Sequence, residues 1–529
     1  MTTPVNSTQP VESVRRRYGA TLFTQFIQLA AAIVTGGVAP RALGPAAFGN
    51  YNFLLNTAAI IRSFLDSSTS QTFFTFSSQE EKSGALTKLY ALLLLGQMTI
   101  IFSIIAILVA MEAMDWLWPH QALDQIVWVT LVEWCLFVTA SLRQLGDSKG
   151  LTVRTQVIVL FTAFINIFGL LGLNAVGALN FYTYVWLNLF TTLLIGIALG
   201  YWLLIVNRAI TWEGNLREHA SVYIKHWWVF ASPLILLEYY TAIVAYIGVY
   251  LLQRWYGSAE QGYFALAAKW SAFVLVFTTS ALSIFWREIA HAMANGEQER
   301  AAKTYQRFTT LLFFLALVLC TWLSFNSSLL VNILVGNEYQ AAIPVLALMA
   351  FYPLQQTYGQ INTAALKGAE KTKIIRNLGI WLSIPDLLLS YFLLASPNAH
   401  VPGLNLGAMG IALRMVIYGL LSVQVYEWMS HKTFNLNYFS TFFKKLGMTS
   451  IIFLCGWLIL LEGGEILSSF DFPPIVILAI STILYFVCIS LIIFLRPQLV
   501  GISRSEFDTN LRRAHQVFTS AFGLKSQIK

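Results

Sequence analysis

Seven charged side chains fall inside long apolar runs of the sequence, and they are the residues best placed to do chemistry. The cations are Arg62, Lys269 and Arg414, and the acids are Asp66, Glu133, Glu238 and Asp386. An Arg, Lys or Asp at the centre of a bilayer costs about 3 kcal/mol on insertion scales, so such residues usually face a cavity or a partner. A guanidinium grips phosphate through two parallel hydrogen bonds. The three cations therefore indicate a binding site for an anionic substrate, such as a phosphate or pyrophosphate.

Each of these charges also has a purely structural interpretation. Arg62 and Asp66 are four residues apart and could neutralise each other on one helix. Lys269 could extend to the lipid headgroups, and Arg414 could pair with an acid on the neighbouring span. Acids within a membrane also carry protons or ions in transporters. The candidates for ion coupling are Asp66, Glu238 and Asp386.

Polar side chains recur on one face of two apolar runs. Gln25 and Gln28 are three residues apart in the first run, and Gln356 and Gln360 are four residues apart in the tenth. Residues at these spacings share a helix face. We interpret the two stripes as the lining of a hydrated groove that contacts sugar hydroxyls, and all four glutamines are candidate substrate-binding residues. For any single residue, the alternative is a hydrogen bond between helices, worth about 1 kcal/mol.

The elements that must position these residues are membrane-spanning helices. Hydrophobic residues make up 57% of the 529-residue chain and charged residues 11%, against about 45–50% and about 25% in soluble domains. Fourteen runs are long enough to cross a hydrocarbon core of about 30 Å. They lie near residues 18–39, 48–76, 86–111, 122–142, 151–174, 181–206, 229–253, 263–290, 308–334, 341–365, 377–396, 405–428, 446–462 and 474–495. The predicted fold is all-α and polytopic, with about fourteen transmembrane helices.

The distribution of Lys and Arg orients these spans. With both termini in the cytoplasm, 28 of the 33 Lys and Arg residues lie on the cytoplasmic side, two lie outside and three lie within spans. Positive charge gathers on the cytoplasmic side of membrane proteins. An odd number of spans would disrupt this alternation, so the charge pattern supports an even count and cytoplasmic termini.

Two outer turns repeat at an offset of 213 residues. The segments "RALGPAAFGNY" (41–51) and "RWYGSAEQGYF" (254–264) share an arginine, an alanine and two glycines at equivalent positions. Six spans separate the turns, so the two halves have the same orientation and are related by an axis along the membrane normal. A chance match between glycine-containing loops is the alternative.

The repeat predicts five parts of the chain. They are an N-terminal six-helix lobe (1–206), a cytoplasmic interfacial linker (207–228), a C-terminal six-helix lobe (229–430), two extra transmembrane helices (431–496) and a cytoplasmic amphipathic tail (497–529). Parallel repeats of this kind are typical of carriers whose substrate site lies between two lobes.

Motifs for catalysis and cofactor binding are absent from the sequence. It contains no P-loop, no HExxH and no nucleotide-binding fingerprint, and its seven histidines lack the spacing of metal ligands. The predicted outer loops have about 3 to 12 residues, which is typical of helix linkers. We therefore predict a chain that is not an enzyme, needs no cofactor or metal and does not bind nucleic acid.

The turn from Arg41 to Tyr51 follows the pattern R-x-L-G-P-x-x-[FY]-G-x-Y directly after a polar-striped span. Together with the fourteen-span plan, it resembles the polysaccharide flippases of the multidrug/oligosaccharidyl-lipid/polysaccharide (MOP) exporter superfamily. The resemblance implies two lobes that alternate around a cationic cavity and a polyprenyl-pyrophosphate-linked oligosaccharide as substrate. It implies movement from the inner to the outer leaflet of the bacterial cytoplasmic (inner) membrane, driven by an ion gradient. The implied partners are this lipid-linked anionic glycan, membrane lipid and a polysaccharide polymerase or export machinery.

Other functions are compatible with the same plan. A drug or metabolite antiporter of the superfamily is the main alternative, although such proteins usually have twelve spans and a more acidic or aromatic cavity. A membrane glycan polymerase or ligase is a further alternative, and a scaffolding membrane protein is the simplest one. Fourteen spans and three buried cations favour the lipid-linked glycan, and short outer loops disfavour the enzyme.

Overall fold

The computed structural model describes residues 14–79, 84–206 and 216–509, and most of this part of the chain is helical. The first helices are α1 (Val14–Asp66), α2 (Thr69–Gln79), α3 (Gly84–Ala110), α4 (Leu123–Ser148), α5 (Thr152–Ala175), α6 (Phe181–Gly200) and α7 (Leu216–Ala294). The later helices are α8 (Gln298–Phe325), α9 (Ser327–Leu334), α10 (Ala342–Met349), α11 (Tyr352–Gly368), α12 (Thr372–Leu394), α13 (Gly407–Thr433), α14 (Tyr438–Gly456), α15 (Gly463–Ser468) and α16 (Pro474–Leu495).

The predicted all-α polytopic fold is confirmed. In the described part of the chain, ten helices are long and apolar enough to cross a membrane. Each of the fourteen predicted spans lies on helix, but α1 and α7 each carry two of them. The number of separate helices therefore differs from the number of predicted spans.

Single glycines divide the paired spans within α1 and α7. Gly44 has φ 73° and ψ 168°, and Gly257 has φ 80° and ψ −170°. This backbone conformation is essentially restricted to glycine. The two glycines are equivalent in the 213-residue repeat, so the repeated sequence forms the same backbone geometry twice. The sequence predicted longer turns here, but one residue in this conformation redirects the helix and leaves both flanking segments helical.

Other spans are interrupted where the sequence predicted continuous helix. The span near 48–76 ends at Asp66 and resumes as α2, and the span near 341–365 is divided into α10 and α11. α14 starts at Tyr438, eight residues before the predicted start of its span, and continues through a π-helical turn at Trp457–Glu462 into α15. Apolar patterning gives the length of a span, but local hydrogen bonds to polar side chains decide where its helix stops.

The predicted linker and tail are described only in part. Residues 207–215 of the linker lie outside the described residues, and the remainder from Leu216 is helix continuous with α7. Residues 510–529, which hold most of the predicted amphipathic face, also lie outside them. The beginning of the tail lies against α8, where Nη1 of Arg307 is 3.4 Å from Oε1 of Glu506.

The chain forms two compact units. Unit 1 comprises Met1–Lys269, Leu334–Ala342 and Gly379–Arg414, as far as these are described. Its helices α1, α4, α5 and α6 pack closely together. Their core contains Phe53, Ile126, Val129, Leu170 and Val185, all almost fully buried.

Unit 2 comprises Trp270–Ile333, Ile343–Leu378 and Met415–Lys529, again as far as these are described. In it α8 packs against α11 and α14. The core contains Phe285, Ile289, Tyr305, Ile361 and Phe434. The bounds of the two six-helix lobes and of the two extra helices remain predictions.

Candidate functional site

A cavity of about 690 Å³ lies within unit 1 and is lined by α1, α2 and α7. Sites for small molecules typically have about 300–1,000 Å³. Three of the predicted site residues line it: Arg62 and Asp66 from α1, and Glu238 from α7. Its other polar lining residues are Asn56, Ser63, Gln71 and Thr241. The structure therefore brings together side chains that are far apart in the sequence.

Arg62 is held from behind by α4. Its Nε donates a hydrogen bond of 2.8 Å to Oε1 of Glu133, which is buried, and its guanidinium carbon lies 4.0 Å from the ring centroid of Phe137. Among the described residues, no acceptor is bound to the two terminal nitrogens of this guanidinium. A guanidinium that is fixed through Nε and a ring face keeps its terminal N–H groups available for an anion.

Asp66 does not pair with Arg62, although the two residues are four apart. Its Oδ1 accepts hydrogen bonds from the Thr69 hydroxyl at 2.6 Å and from the Ser70 backbone N–H at 3.1 Å, and its Oδ2 accepts from the Ser70 hydroxyl at 2.7 Å. A carboxylate in this position satisfies free N–H groups at a helix N-terminus. The intrahelical ion pair that was considered as the structural alternative is therefore not formed, because Asp66 caps α2 instead.

Glu238 is tied to the break between α1 and α2. Its Oε1 accepts a hydrogen bond of 2.5 Å from the hydroxyl of Ser68. The neighbouring Ser67 hydroxyl lies 2.6 Å from the hydroxyl of Tyr239, and both serines have positive φ, at 43° and 63°. The short segment between α1 and α2 is thus fixed by two consecutive residues of α7.

Arg414 and Asp386 form a two-pronged ion pair between α12 and α13. Nε of Arg414 donates to Oδ1 of Asp386 at 2.7 Å, and Nη2 donates to Oδ2. The side chains are 13% and 5% exposed. Nη1 of Arg414 lies near the backbone of α7, 3.1 Å from the point where a Cβ on Gly248 would be. The pairing of Arg414 with an acid on the neighbouring span, which the sequence analysis considered, is therefore present. It occupies the guanidinium of Arg414 and the carboxylate of Asp386.

Lys269 does not line the unit 1 cavity. It lies on α7, shortly after the second of the two repeated turns (254–264). It is half-buried, and its Nζ is 6.0 Å from the ring centroid of Phe48. Of the three predicted cations, Arg62 alone lines this cavity. The lining combines this guanidinium with the carboxylates of Asp66 and Glu238.

The four glutamines lie on two different units. Gln25 and Gln28 are half-buried on α1 in unit 1, next to the buried Thr24. Gln356 and Gln360 are half-buried on α11 in unit 2, and Nε2 of Gln356 donates to the Tyr352 hydroxyl at 2.5 Å. Their role in a sugar-binding groove stays a prediction.

Two groups of residues escaped the sequence interpretation. Glu133 was recognised as an acid within a span, but its partnership with Arg62 was not predicted. In unit 2, Glu427 and His431 on α13 lie buried with Lys445 on α14. The spacing of Glu427 and His431, one helical turn apart, was the available signal, but Lys445 fell just outside the predicted span.

The fold is similar to that of solved helical membrane transporters of the MOP superfamily. No protein-family model matches the chain, and no curated protein matches it in sequence. Its structure is similar to that of the lipid II flippase MurJ in an inward closed conformation, with a TM-score of 0.63 at 12% identity. That match covers 90% of this chain and 99% of the flippase.

Multidrug transporters share the same fold. An inward-facing MATE family transporter of the MOP superfamily matches with a TM-score of 0.56 at 15% identity, over 80% of this chain and 98% of the transporter. A MOP superfamily transporter from Pyrococcus furiosus, described as having a binding pocket of reverse polarity, matches with a TM-score of 0.53 at 14% identity, over 80% and 95%. At these identities, the likenesses establish the fold alone.

Proposed function

We propose that the chain is a flippase that moves a polyprenyl-pyrophosphate-linked oligosaccharide from the inner to the outer leaflet. The observation that carries this proposal is that Arg62 lines a cavity of about 690 Å³, while its terminal nitrogens bind no acceptor among the described residues. A planar fork of N–H donors fits two oxygens of one phosphate group. The pyrophosphate is held there while the glycan occupies the cavity and the prenyl tail remains in lipid.

The similarity to MurJ supports a flippase over a drug transporter. That match extends over 90% of this chain, whereas the multidrug transporter matches over 80%. We assign assisting roles in anion binding to Lys269 and Arg414, and we assign contacts with sugar hydroxyls to Gln25, Gln28, Gln356 and Gln360. The chain carries out transport and not catalysis. It delivers the lipid-linked oligosaccharide to a polysaccharide polymerase or export machinery.

The proposed location is the bacterial cytoplasmic (inner) membrane with both termini in the cytoplasm, as the distribution of Lys and Arg favours. Transport proceeds by alternating access and is driven by an ion gradient. We assign binding of the coupling ion to Asp66 and Glu238, and their position in the lining of the same cavity as Arg62 supports this assignment. Asp386 could take this role only after it releases Arg414.

The first test is to deplete the protein in its native cell and to measure the amount and leaflet of polyprenyl-linked glycan intermediates. We expect these intermediates to accumulate on the cytoplasmic leaflet. Re-expression of Arg62→Gln should fail to relieve the accumulation, whereas Arg300→Gln, which removes an exposed arginine paired with Glu297, should relieve it. Unpolymerised units on the outer leaflet would contradict the flippase and indicate a polymerase or ligase.

A second candidate is a drug or metabolite antiporter, which the two carboxylates in the cavity lining favour. Asp66 and Glu238 would attract a cationic compound, and Arg62 would then serve only to hold Glu133. Export of cationic dyes that depends on Asp66 and Glu238 but survives Arg62→Gln would establish this alternative. Loss of glycan flipping in Arg62→Gln, in cells whose dye export is the same with and without the protein, would exclude it.

A further inference from the structure

A second cluster of ionisable side chains is buried in unit 2, outside the cavity described above. Glu427 and His431 lie one turn apart on α13, and Lys445 lies on α14; they are 0%, 1% and 7% exposed. Nζ of Lys445 is 2.6 Å from Oε1 of Glu427. The desolvation of two buried ions offsets much of their attraction, so stability alone is a weak reason for such a pair. Ionisable groups within a membrane instead mark functional sites.

The carboxylate of Glu427 is incompletely satisfied. Its Oε2 is buried and has no hydrogen-bond partner among the described residues. Nδ1 of His431 lies 2.9 Å from the backbone oxygen of Glu427 and 3.9 Å from Oε1 of the same residue. The other ring nitrogen, Nε2, lies 3.1 Å from the hydroxyl of Thr441. The imidazole therefore stands between the carboxylate and Thr441.

A cavity of about 630 Å³ leads from the surface of unit 2 to this cluster. His431, Thr441 and Lys445 line its inner part. Its lining also contains the exposed side chains of Lys303, Gln306, Arg307 and Lys444. Much of the lining is apolar, but these polar groups lie along it, and a cavity of this size has room for water molecules beside them. Such water gives protons a route to the imidazole.

Lys445 has a second stabilising contact that does not need the carboxylate. Its Nζ lies 3.8 Å from the ring centroid of Tyr358, which is within the range of a cation–π interaction. Lys445 also lines a second, apolar cavity of about 490 Å³ on another side of α14. The ammonium group therefore keeps one favourable contact if Glu427 becomes neutral.

The geometry points to a proton-binding site at Glu427 that is loaded through His431 from the 630 Å³ cavity. A proton from cavity water binds Nε2 of His431, and the proton on Nδ1 passes to a carboxylate oxygen of Glu427, which returns the imidazole to its neutral form. Lys445 then loses its counter-ion and keeps its contact with Tyr358. The tie between α13 and α14 is weaker in this protonated state, so the two helices can separate.

Other titratable and charged groups face the cluster from each helix packed against it. They are Tyr305 of α8, Tyr358 of α11, Tyr438 of α14 and, at the outer part of the cavity, Lys303, Arg307 and Lys444. The tyrosines are neutral in the range where carboxyl and imidazole groups titrate. Two of the outer cations are already paired, Lys303 with Glu299 and Arg307 with Glu506. The titratable groups at the centre are therefore Glu427, His431 and Lys445.

The test is an infrared titration of the purified full-length chain in lipid nanodiscs. We expect the protonated-carboxyl band that appears on acidification of the wild type to include a component from Glu427, and this component should be missing in Glu427→Gln. Glu299→Gln is the matched control, because Glu299 forms a surface pair with Lys303 at the same 2.6 Å; its spectrum should keep the band. An identical band in the wild type and in Glu427→Gln would overturn the proposal.

Two further variants test the partners. Lys445→Met leaves the carboxylate unpaired, so the band should already be present at neutral pH, and an unchanged titration would overturn the role of the pair. His431→Gln should slow proton uptake by about 100-fold, as expected for the loss of a positioned acid–base group; an unchanged rate would overturn the route. If Glu427→Gln fails to fold, combining it with Lys445→Met removes both buried charges and permits the same comparison.

The link from this site to transport rests on the proposed function, but the titration does not. A band that depends on Glu427 in a protein that moves no lipid-linked glycan would overturn the flippase alone. Glycan flipping that keeps its pH dependence in Glu427→Gln would overturn the coupling role of this site and leave the flippase intact.

Discussion

Gly49 packs directly against the backbone oxygen of Ser258. A methyl group on Gly49 would lie 1.8 Å from that oxygen, and a methyl group on Gly262 would lie 2.1 Å from the backbone oxygen of Pro45. Gly262 is the repeat equivalent of Gly49, and Ser258 is the repeat equivalent of Pro45. The two outer turns of unit 1 therefore meet through a reciprocal contact that only glycine permits.

This contact predicts that Gly49→Ala destabilises the protein. The obstructing atom belongs to the backbone, so the turns must move apart, at a cost of about 3 kcal/mol. The measurement is thermal unfolding of the purified protein in detergent. Gly172→Ala is the control, because a methyl group there meets nothing within 4 Å and an alanine within a helix is favourable by about 1 kcal/mol. Equal melting temperatures for the two variants would contradict the prediction.

Variants of Arg62 and Glu133 distinguish the contribution of this ion pair to stability from the contribution of Arg62 to transport. Glu133→Ala should destabilise the protein by about 3–5 kcal/mol, because it leaves a largely buried guanidinium without a partner. Arg62→Met combined with Glu133→Leu removes both charges and should restore most of this stability while abolishing glycan flipping. Thermal unfolding and an accumulation assay in cells measure the two effects. Export by the double variant would remove Arg62 from the substrate site.

Asp66 has one role that an asparagine can fill and one that it cannot. Asp66→Ala removes the cap of α2 and should cost about 1 kcal/mol. Asp66→Asn keeps an acceptor oxygen for Thr69 and Ser70, so its unfolding should match the wild type. If Asp66 also binds the coupling ion, Asp66→Asn loses transport while it keeps its stability. A variant that retains both would limit Asp66 to the cap.

The pair of Arg414 and Asp386 should be far more important for stability than an exposed pair of the same type. Asp386→Asn should cost about 3–5 kcal/mol, because the guanidinium is only 13% exposed. Removing the exposed contact of Arg504 with Asp508, 3.6 Å long, should cost less than about 1 kcal/mol. The exchange Asp386→Arg with Arg414→Asp should regain part of the loss. Denaturation of these three variants and the wild type under identical conditions checks this order.

The repeat was predictable from sequence because backbone geometry requires glycine at its defining positions. Gly44 and Gly257 adopt a conformation closed to other residues, and Gly49 and Gly262 allow the close approach of two turns. Such requirements leave a direct trace in residue type. The pairing of Arg414 with Asp386 was accessible for a similar reason, since consecutive spans tend to be neighbours.

The partner of Arg62 could not be predicted from spacing alone. Asp66 is four residues away along the same helix, but the hydroxyls and backbone N–H that follow it compete for its carboxylate. Glu133 is 71 residues away, and only the packing of α1 against α4 brings it within reach. The spacing rule therefore suggested only Asp66 as a partner, and it had no means of indicating Glu133.

The buried cluster of unit 2 was hidden by an error in one boundary. The thirteenth span was predicted to begin at 446, which assigned Lys445 to a cytoplasmic segment. α14 begins at Tyr438, so Lys445 points into the unit from the second turn of a helix. Lysines near the end of a span follow the positive-inside rule, and this agreement concealed a buried ion pair.

The backbone angles at Gly44 and Gly257 are unfavourable for L-residues. Reflection of their backbone angles gives an ordinary extended conformation for an L-residue, so a D-residue adopts the observed angles comfortably. At Gly257 a side chain in the L-position would meet nothing within 4 Å, which leaves chirality as the barrier to substitution. D-alanine introduced there by chemical synthesis should preserve the bend, whereas L-alanine should straighten it. In this chain, an achiral residue therefore takes a position that would otherwise suit a D-amino acid.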